Sequence, residues 1–220
     1  MKKVGLLLSG CGFNDGSEIH ESVISMLALD RAGVETVIMA PNIDQMHVVN
    51  HYTGQEMDEF RNVLVESSRI ARGNIKDMAE VTGNDLDALI IPGGFGVAKN
   101  LSDYAMAGPD CSVNPDVYRL VSEIYLLKKP IGAICIAPVM MAKIFGEQDE
   151  SAEMTIGSDE LTSKDINTMG SKHIKCLVSE MIIDEDKKLV TTPAYMEAQS
   201  IKAAAEGIEK LVKQVLLMIE

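Results

Sequence analysis

A short apolar run, Ile131-Gly132-Ala133-Ile134, leads straight into Cys135, and a helical pattern opens directly after it with Ile136-Ala137-Pro138. This is the wiring of a nucleophile elbow. A tight strand-to-helix turn lifts one side chain above the carboxyl edge of a parallel sheet, and the new helix points its free N–H groups and positive dipole end at that side chain. Cysteine gains most from such a place, because thiolate is its reactive form and a helix N-terminus lowers its pKa. A second stretch, Ile91-Pro92-Gly93-Gly94, has almost no side-chain cover and can bring N–H groups close to a bound oxygen. With the amide of Ile136 it would form an oxyanion hole; without the elbow it would read as an ordinary glycine turn.

Glu21 is the informative acid. It shares a helical stripe with Ile24, Ala28 and Ala32, so it should face the interior. Burial would raise its pKa and favour a protonated carboxyl, able to donate to a thiolate or to shuttle a proton. Glu18 is better placed to stabilise the helix dipole. His20 points about one residue's rotation away from Glu21, toward Val23, Ile24 and Leu27, and reads as a packed or edge histidine. His47 and His51 fall in the long loop after the second strand and could line a cleft, whereas His173 reads as surface. None has the position a triad base requires. Gly10, Gly12 and Gly16 lack the G-x-G-x-x-G spacing, and Asn14 and Asp15 between them would repel a pyrophosphate, so this loop is taken as a pocket-forming turn. Cys11 in the same loop is read as a small buried side chain that could approach the cleft.

These residues need a parallel sheet to bring them together. Apolar runs at Val4–Leu8, Glu35–Ala40, Leu86–Ile91, Ile131–Ile134 and Leu189–Thr192 alternate with helical periods at Glu18–Ala32, Met57–Ala71, Pro115–Leu127, after Cys135, and at the C-terminus. Phe60, Val63, Leu64, Ser67, Ile70 and Ala71 share one helical face, and Asn114-Pro115 supplies a cap followed by proline. Residues 184–188 read as a solvated hairpin turn, and residues 146–176 show the least regular pattern. The alternation predicts an α/β fold, a flavodoxin-like three-layer sandwich with a mostly parallel sheet between helices. In such sheets ligands bind beyond the carboxyl ends of the strands, where the loops after the first and third strands and the Cys135 elbow all lie.

The chain has 220 residues, 46% of them hydrophobic, which suits one domain over residues 1–220. A formal charge of −13 argues against a nucleic-acid or anionic-membrane partner. Lys2-Lys3 followed by Val4–Leu8 and Cys11 imitates a lipoprotein signal, but its apolar stretch is shorter than the roughly 7–15 residues such a core needs. The four cysteines have no metal or disulfide spacing, so neither a zinc knuckle nor a disulfide scaffold is expected, and a reducing cytosol fits; no metal or other cofactor is expected for the chemistry of the cysteine elbow.

Together, Gly16–Ser22, Ile91–Gly94 with Ala98–Ser102, Ala133–Pro138 and Thr191–Ala194 resemble the PfpI-like branch of the class I glutamine-amidotransferase-like superfamily, which includes the Parkinson's-linked deglycase. Asn50–Gly54, the helix from Arg61 to Gly73, and Thr192–Met196 are similar to one subfamily, the bacterial ElbB isoprenoid biosynthesis proteins and their mitochondrial relatives. The resemblance implies Cys135 as nucleophile, Glu21 as its carboxyl partner and the Gly94 and Ile136 amides as oxyanion donors, with Gly93 beside them. Cys11, His20, His51 and Asn100 are candidate cleft residues. It further implies a glutathione-independent glyoxalase converting glyoxal to glycolate, a small aldehyde substrate, a deglycase side activity and a homodimer. The alternative is a redox-responsive or regulatory protein without significant turnover. Two departures stand out. Pro193-Ala194-Tyr195 occupies the place of the glutaminase His-x-Glu, so glutamine hydrolysis is not expected, and Thr155–Asp159 stands where several deglycases and proteases carry a histidine.

Overall fold

Alternate side chains of the inner strands point into opposite layers, and both layers are apolar, which is why these strands read as unbroken hydrophobic runs. On one face Leu7, Leu89 and Ile91 pack with Met39, Leu120, Ile124, Met140 and Phe145. On the other, Leu6, Leu8 and Ile90 pack with Leu29, Ile208, Leu211 and Val215. Each fully buried side chain of this kind contributes about 1.5–3 kcal/mol.

The computed structural model describes residues 1–219. In chain order the strands and helices are β1 (Lys3–Leu7), α1 (Ile19–Arg31), β2 (Glu35–Ala40), β3 (Val49–Asn50), β4 (Gln55–Glu56), α2 (Val63–Ile70), β5 (Lys76–Asp77) and β6 (Ala88–Ile91). Then come α3 (Tyr104–Ala107), α4 (Pro115–Leu126), β7 (Ile131–Ile134), α5 (Ala137–Glu147), β8 (Glu153–Met154), α6 (Glu160–Thr168), β9 (Lys172–His173), β10 (Ile182–Asp184), β11 (Leu189–Thr192) and α7 (Ile201–Leu217). Seven strands form one sheet in the order β10-β11-β7-β6-β1-β2-β5. All pair in parallel except β10, which returns along β11 through the expected hairpin. Helices α4 and α5 contribute to one layer and α1 and α7 to the other. This is the flavodoxin-like sandwich. The strand order reverses between β1 and β6, so the crevice of an open α/β sheet falls there, with β7 next in line.

Two expectations need correction. Helix α2 is shorter than the Met57–Ala71 period suggests, because Asn62 caps it by accepting the Val65 N–H at 3.0 Å. Residues before the cap follow the β3–β4 hairpin, with the Met57 N–H bonded to the Val48 carbonyl at 2.8 Å. Phe60, expected on the buried face, is therefore 90% exposed. The irregular stretch 146–176 contains β8, α6 and β9; the two short strands pair in parallel, and α6 buries only Ile166. His173 belongs to that pair and is half-buried, its Nε2 accepting the Ile156 N–H at 3.4 Å. No helix among the described residues is long and apolar enough to cross a membrane.

Candidate active site

Strand β7 ends at Ile134, α5 begins at Ala137, and Cys135 makes the corner with φ of +61°. A non-glycine residue in this left-handed region costs about 1 kcal/mol or more, so the corner must be over-determined by its surroundings. The Cys135 N–H is tied to the Thr192 carbonyl of β11 at 2.9 Å, and Pro138 occupies the first turn of α5, where a missing N–H costs nothing. The elbow thus has the predicted form.

Its electrostatics differ from the sequence reading. Cys135 is only 7% exposed. Burial pushes its thiol well above the ordinary value, and the neighbouring Glu21 pushes the same way, while hydrogen bonds from the Gly94 and Ile136 amides pull it down. The expected helix-lowered thiol is corrected to a raised one, because loss of water outweighs two amides and a dipole. Glu21 is fully buried at the start of α1. Its Oε2 accepts the Gly93 N–H at 2.8 Å and its Oε1 accepts the Tyr195 N–H at 3.2 Å. The carboxyl also hydrogen-bonds the Cys135 thiol, and burial followed by the charge of Glu18 raises its pKa to about 8. With Glu21 protonated, its repulsion of a thiolate disappears and its O–H becomes a donor to sulfur. Glu18 caps α1, its Oε2 accepting the Glu21 N–H at 2.7 Å, as the dipole argument anticipated.

The glycine loop resolves amide by amide. The Gly93 N–H is taken by Glu21, that of Phe95 by the Phe13 carbonyl at 2.7 Å, that of Gly96 by the Gly16 carbonyl at 2.9 Å and that of Val97 by the Gly94 carbonyl at 3.1 Å. The Gly94 amide alone of these is turned to the sulfur, joined there by Ile136. Gly93 is therefore not an oxyanion donor; it positions the acid. Its own lack of a side chain matters, since a Cβ would lie 2.5 Å from the Cys135 Cβ and 2.9 Å from both the sulfur and Glu21 Oε2. Gly94 has φ of +95°, and a Cβ there would meet main-chain atoms of Gly16 and Glu18 at 2.4 Å.

Among the remaining candidates, Asn100 and His51 hold the loop after β1, Cys11 lies within that loop, and His20 bonds the turn after β11. Asn100 is buried on a single π-helical turn, Val97–Leu101. Its Nδ2 donates to the carbonyls of Ser9 and Asp15 at 2.8 and 2.9 Å, and its Oδ1 accepts the Met46 N–H at 3.0 Å. His51 Nε2 accepts the Asn14 N–H at 3.2 Å, and its Nδ1 lies 3.0 Å from the Val49 carbonyl. Both were expected in the cleft; every polar group they offer is spent on backbone. Cys11 is half-buried, with burial and Glu66 raising its thiol. His20 is exposed, its Nδ1 2.8 Å from the Tyr195 hydroxyl. Thr155, at the place of the missing histidine, is buried, its N–H donating to Thr191 Oγ1 at 2.9 Å. Sequence reasoning missed Tyr195: its contribution is a backbone N–H, for which a sequence carries no signal.

Several known proteins are similar to this chain. "ES1 protein homolog, mitochondrial" of Rattus norvegicus is 43% identical over 97% of this chain and 83% of its own. "Glutamine amidotransferase-like class 1 domain-containing protein 3, mitochondrial" of Homo sapiens is 44% identical over 97% of this chain and 82% of its own. Those names overturn the cytoplasmic placement expected from the cysteines, since unpaired thiols speak for a reducing compartment and the cytosol is not alone in providing one. Among solved structures, an isoprenoid biosynthesis protein with amidotransferase-like domain from Ehrlichia chaffeensis superposes with a TM-score of 0.94 at 36% identity, over 100% of both chains. Schizosaccharomyces pombe DJ-1, at 20% identity, shares the fold with a TM-score of 0.57 over 96% of this chain and 90% of its own. The model of the DJ-1/PfpI family matches residues 11–202, a span that holds the cysteine elbow, the buried glutamate and the glycine loop, and the chain belongs to that family.

Proposed function

We propose that the chain, working as one amidotransferase-like domain, is a cofactor-independent glyoxalase acting on glyoxal or a similarly small 2-oxoaldehyde. The observation that carries this reading is the buried pair in which the Glu21 carboxyl hydrogen-bonds the Cys135 thiol, with the Gly94 and Ile136 amides on the sulfur's other side. Near pH 8 the pair gives up its first proton from Glu21, while burial keeps the Cys135 thiol protonated. The Glu21 carboxylate takes the thiol proton as the sulfur adds to the aldehyde carbon, and it passes that proton to the new oxyanion, which the two amides hold. The carboxylate left behind removes the proton from the carbon bearing sulfur, giving an enediol, and returns it to the adjacent carbon. The product is a thioester of glycolate, which water hydrolyses to free the cysteine. No external oxidant is used: one carbon is oxidised as its neighbour is reduced.

Amide hydrolysis needs a general acid to protonate the leaving amine, and the loop after β11 offers a backbone amide where glutaminases use histidine. The redox alternative required an exposed, acidic thiolate, and the buried, upward-shifted Cys135 does not suit it. The test supplies glyoxal to wild type, Cys135→Ala and Glu21→Gln and quantifies glycolate. Production by wild type alone is the expected result; equal turnover in wild type and Cys135→Ala overturns the assignment.

A further inference from the structure

Tyr195 and His20 are joined side chain to side chain at the rim of the site, although they lie on the turn after β11 and on α1. His20 Nδ1 is 2.8 Å from the Tyr195 hydroxyl, and the rings lie 5.7 Å apart. The same His20 Nδ1 is 4.0 Å from Glu18 Oε1, and Glu18 holds the Glu21 N–H through Oε2. The Tyr195 N–H reaches Glu21 Oε1 at 3.2 Å. A closed circuit results: Glu21 to the Tyr195 backbone, Tyr195 ring to His20, and back along the first turn of α1. The residue before Tyr195, Ala194, has φ of +42°. A left-handed alanine relaxes unless something outside the turn restrains it. The bond to His20 is such a restraint.

We propose that His20 and Tyr195 form a clasp that positions Glu21, pinning the turn after β11 against α1 so that the Tyr195 N–H stays on the buried carboxyl. The inference rests on Glu21 being the proton partner of Cys135. Neither ring touches the reacting sulfur, so both are positioning residues. The titratable groups around Glu21 are Glu18 and His20 from its own helix, Cys135 from the elbow and Tyr195 from the turn. Breaking the clasp removes one of the two backbone donors that favour the carboxylate, so the carboxyl should keep its proton to higher pH.

The experiment is an infrared titration of the 220-residue chain, following the protonated-carboxyl band that is absent from Glu21→Gln. Tyr195→Phe and His20→Leu each delete the bond while leaving backbone and bulk in place. Both should move the disappearance of the band upward by about one pH unit. The double variant should move it no further than either single one, because both act through the same bond. His20→Asn, whose side-chain amide reaches the place of Nδ1, should restore the wild-type midpoint. A band that stays put in both breaking variants overturns the clasp, as do additive shifts or a failed rescue. Glycolate formation is scored separately: shifted bands without glycolate in wild type leave the clasp standing and remove the glyoxalase reading. A wild type without the band removes the proton on which both depend.

Discussion

Replacing Glu21 with glutamine should flatten the pH dependence of stability by an amount set by the burial of its carboxyl. In the fold Glu21 keeps its proton up to about pH 8, against an ordinary value of 4.5 that the unfolded chain should show. Between those limits the folded chain holds one more proton than the unfolded chain, so raising the pH favours unfolding. Below the lower limit both states are protonated and the site costs nothing; above the upper limit both are ionised and the loss is complete. The slope is about 1.4 kcal/mol per pH unit, or about 5 kcal/mol across the window. Glutamine is neutral throughout, but its single oxygen must serve two amides, Gly93 and Tyr195. One unmet buried N–H costs about 1–3 kcal/mol at every pH. The two curves should therefore cross, with Glu21→Gln less stable near pH 5 and more stable near pH 8. Urea titrations of both proteins at intervals between about pH 5 and pH 8 measure this, and subtracting one curve from the other cancels every titrating group that Glu21 does not influence. A constant difference, or one that grows in favour of wild type as pH rises, would refute the protonated carboxyl.

Turnover should climb with pH through about 8, where the pair gives up the first of its two protons; a pH–rate profile already flat at neutral pH would contradict the raised Glu21. Gly93→Ala should cost about 1–3 kcal/mol and slow alkylation of Cys135 at least tenfold, because the new methyl would wedge between sulfur and carboxyl, as paired unfolding and iodoacetamide kinetics will show. Asn100→Ala should destabilise by about 2–4 kcal/mol and open the loop after β1 to limited proteolysis, since three backbone groups lose their buried partner.

What could be read from the sequence was whatever leaves a periodic or steric trace. Glu21 showed its burial because an acid stood in line with Ile24 and Ala28, although the fully buried face of α1 runs through Ser22, Ser25 and Leu29 and leaves Ala32 exposed; Cys135 showed its corner because a strand pattern changed to a helix pattern across one residue. The direction of the Cys135 shift was not legible: it depends on how completely the Gly16–Glu18 and Gly93–Gly96 segments exclude water, a property of loops packed against each other. Asn100 and His51 looked like cleft residues because polar side chains near a glycine loop suggest ligands; their partners turned out to be carbonyls and amides that irregular backbone must satisfy somewhere. Phe60 misled because a helical period continued past the point where Asn62 captured the helix start. Strands β8 and β9, two residues each, are too short for any period to show.

The closest neighbours of the reacting sulfur include main chain that carries no side chains to trim: Gly93 against it, and Gly94 seated on the backbone of Gly16 and Glu18. Pockets lined by side chains adapt to new ligands by single substitutions that exchange large residues for small. At these two positions there is nothing smaller than what is already present, and an addition collides with Cys135 and Glu21 themselves at Gly93 or with backbone at Gly94. Such an enclosure acts as a gauge of fixed bore. Admitting a bulkier carbonyl compound would require a change in loop length, so within this family a shift in substrate size should be recorded as insertions or deletions after β1 and β6 rather than as point replacements around the cysteine.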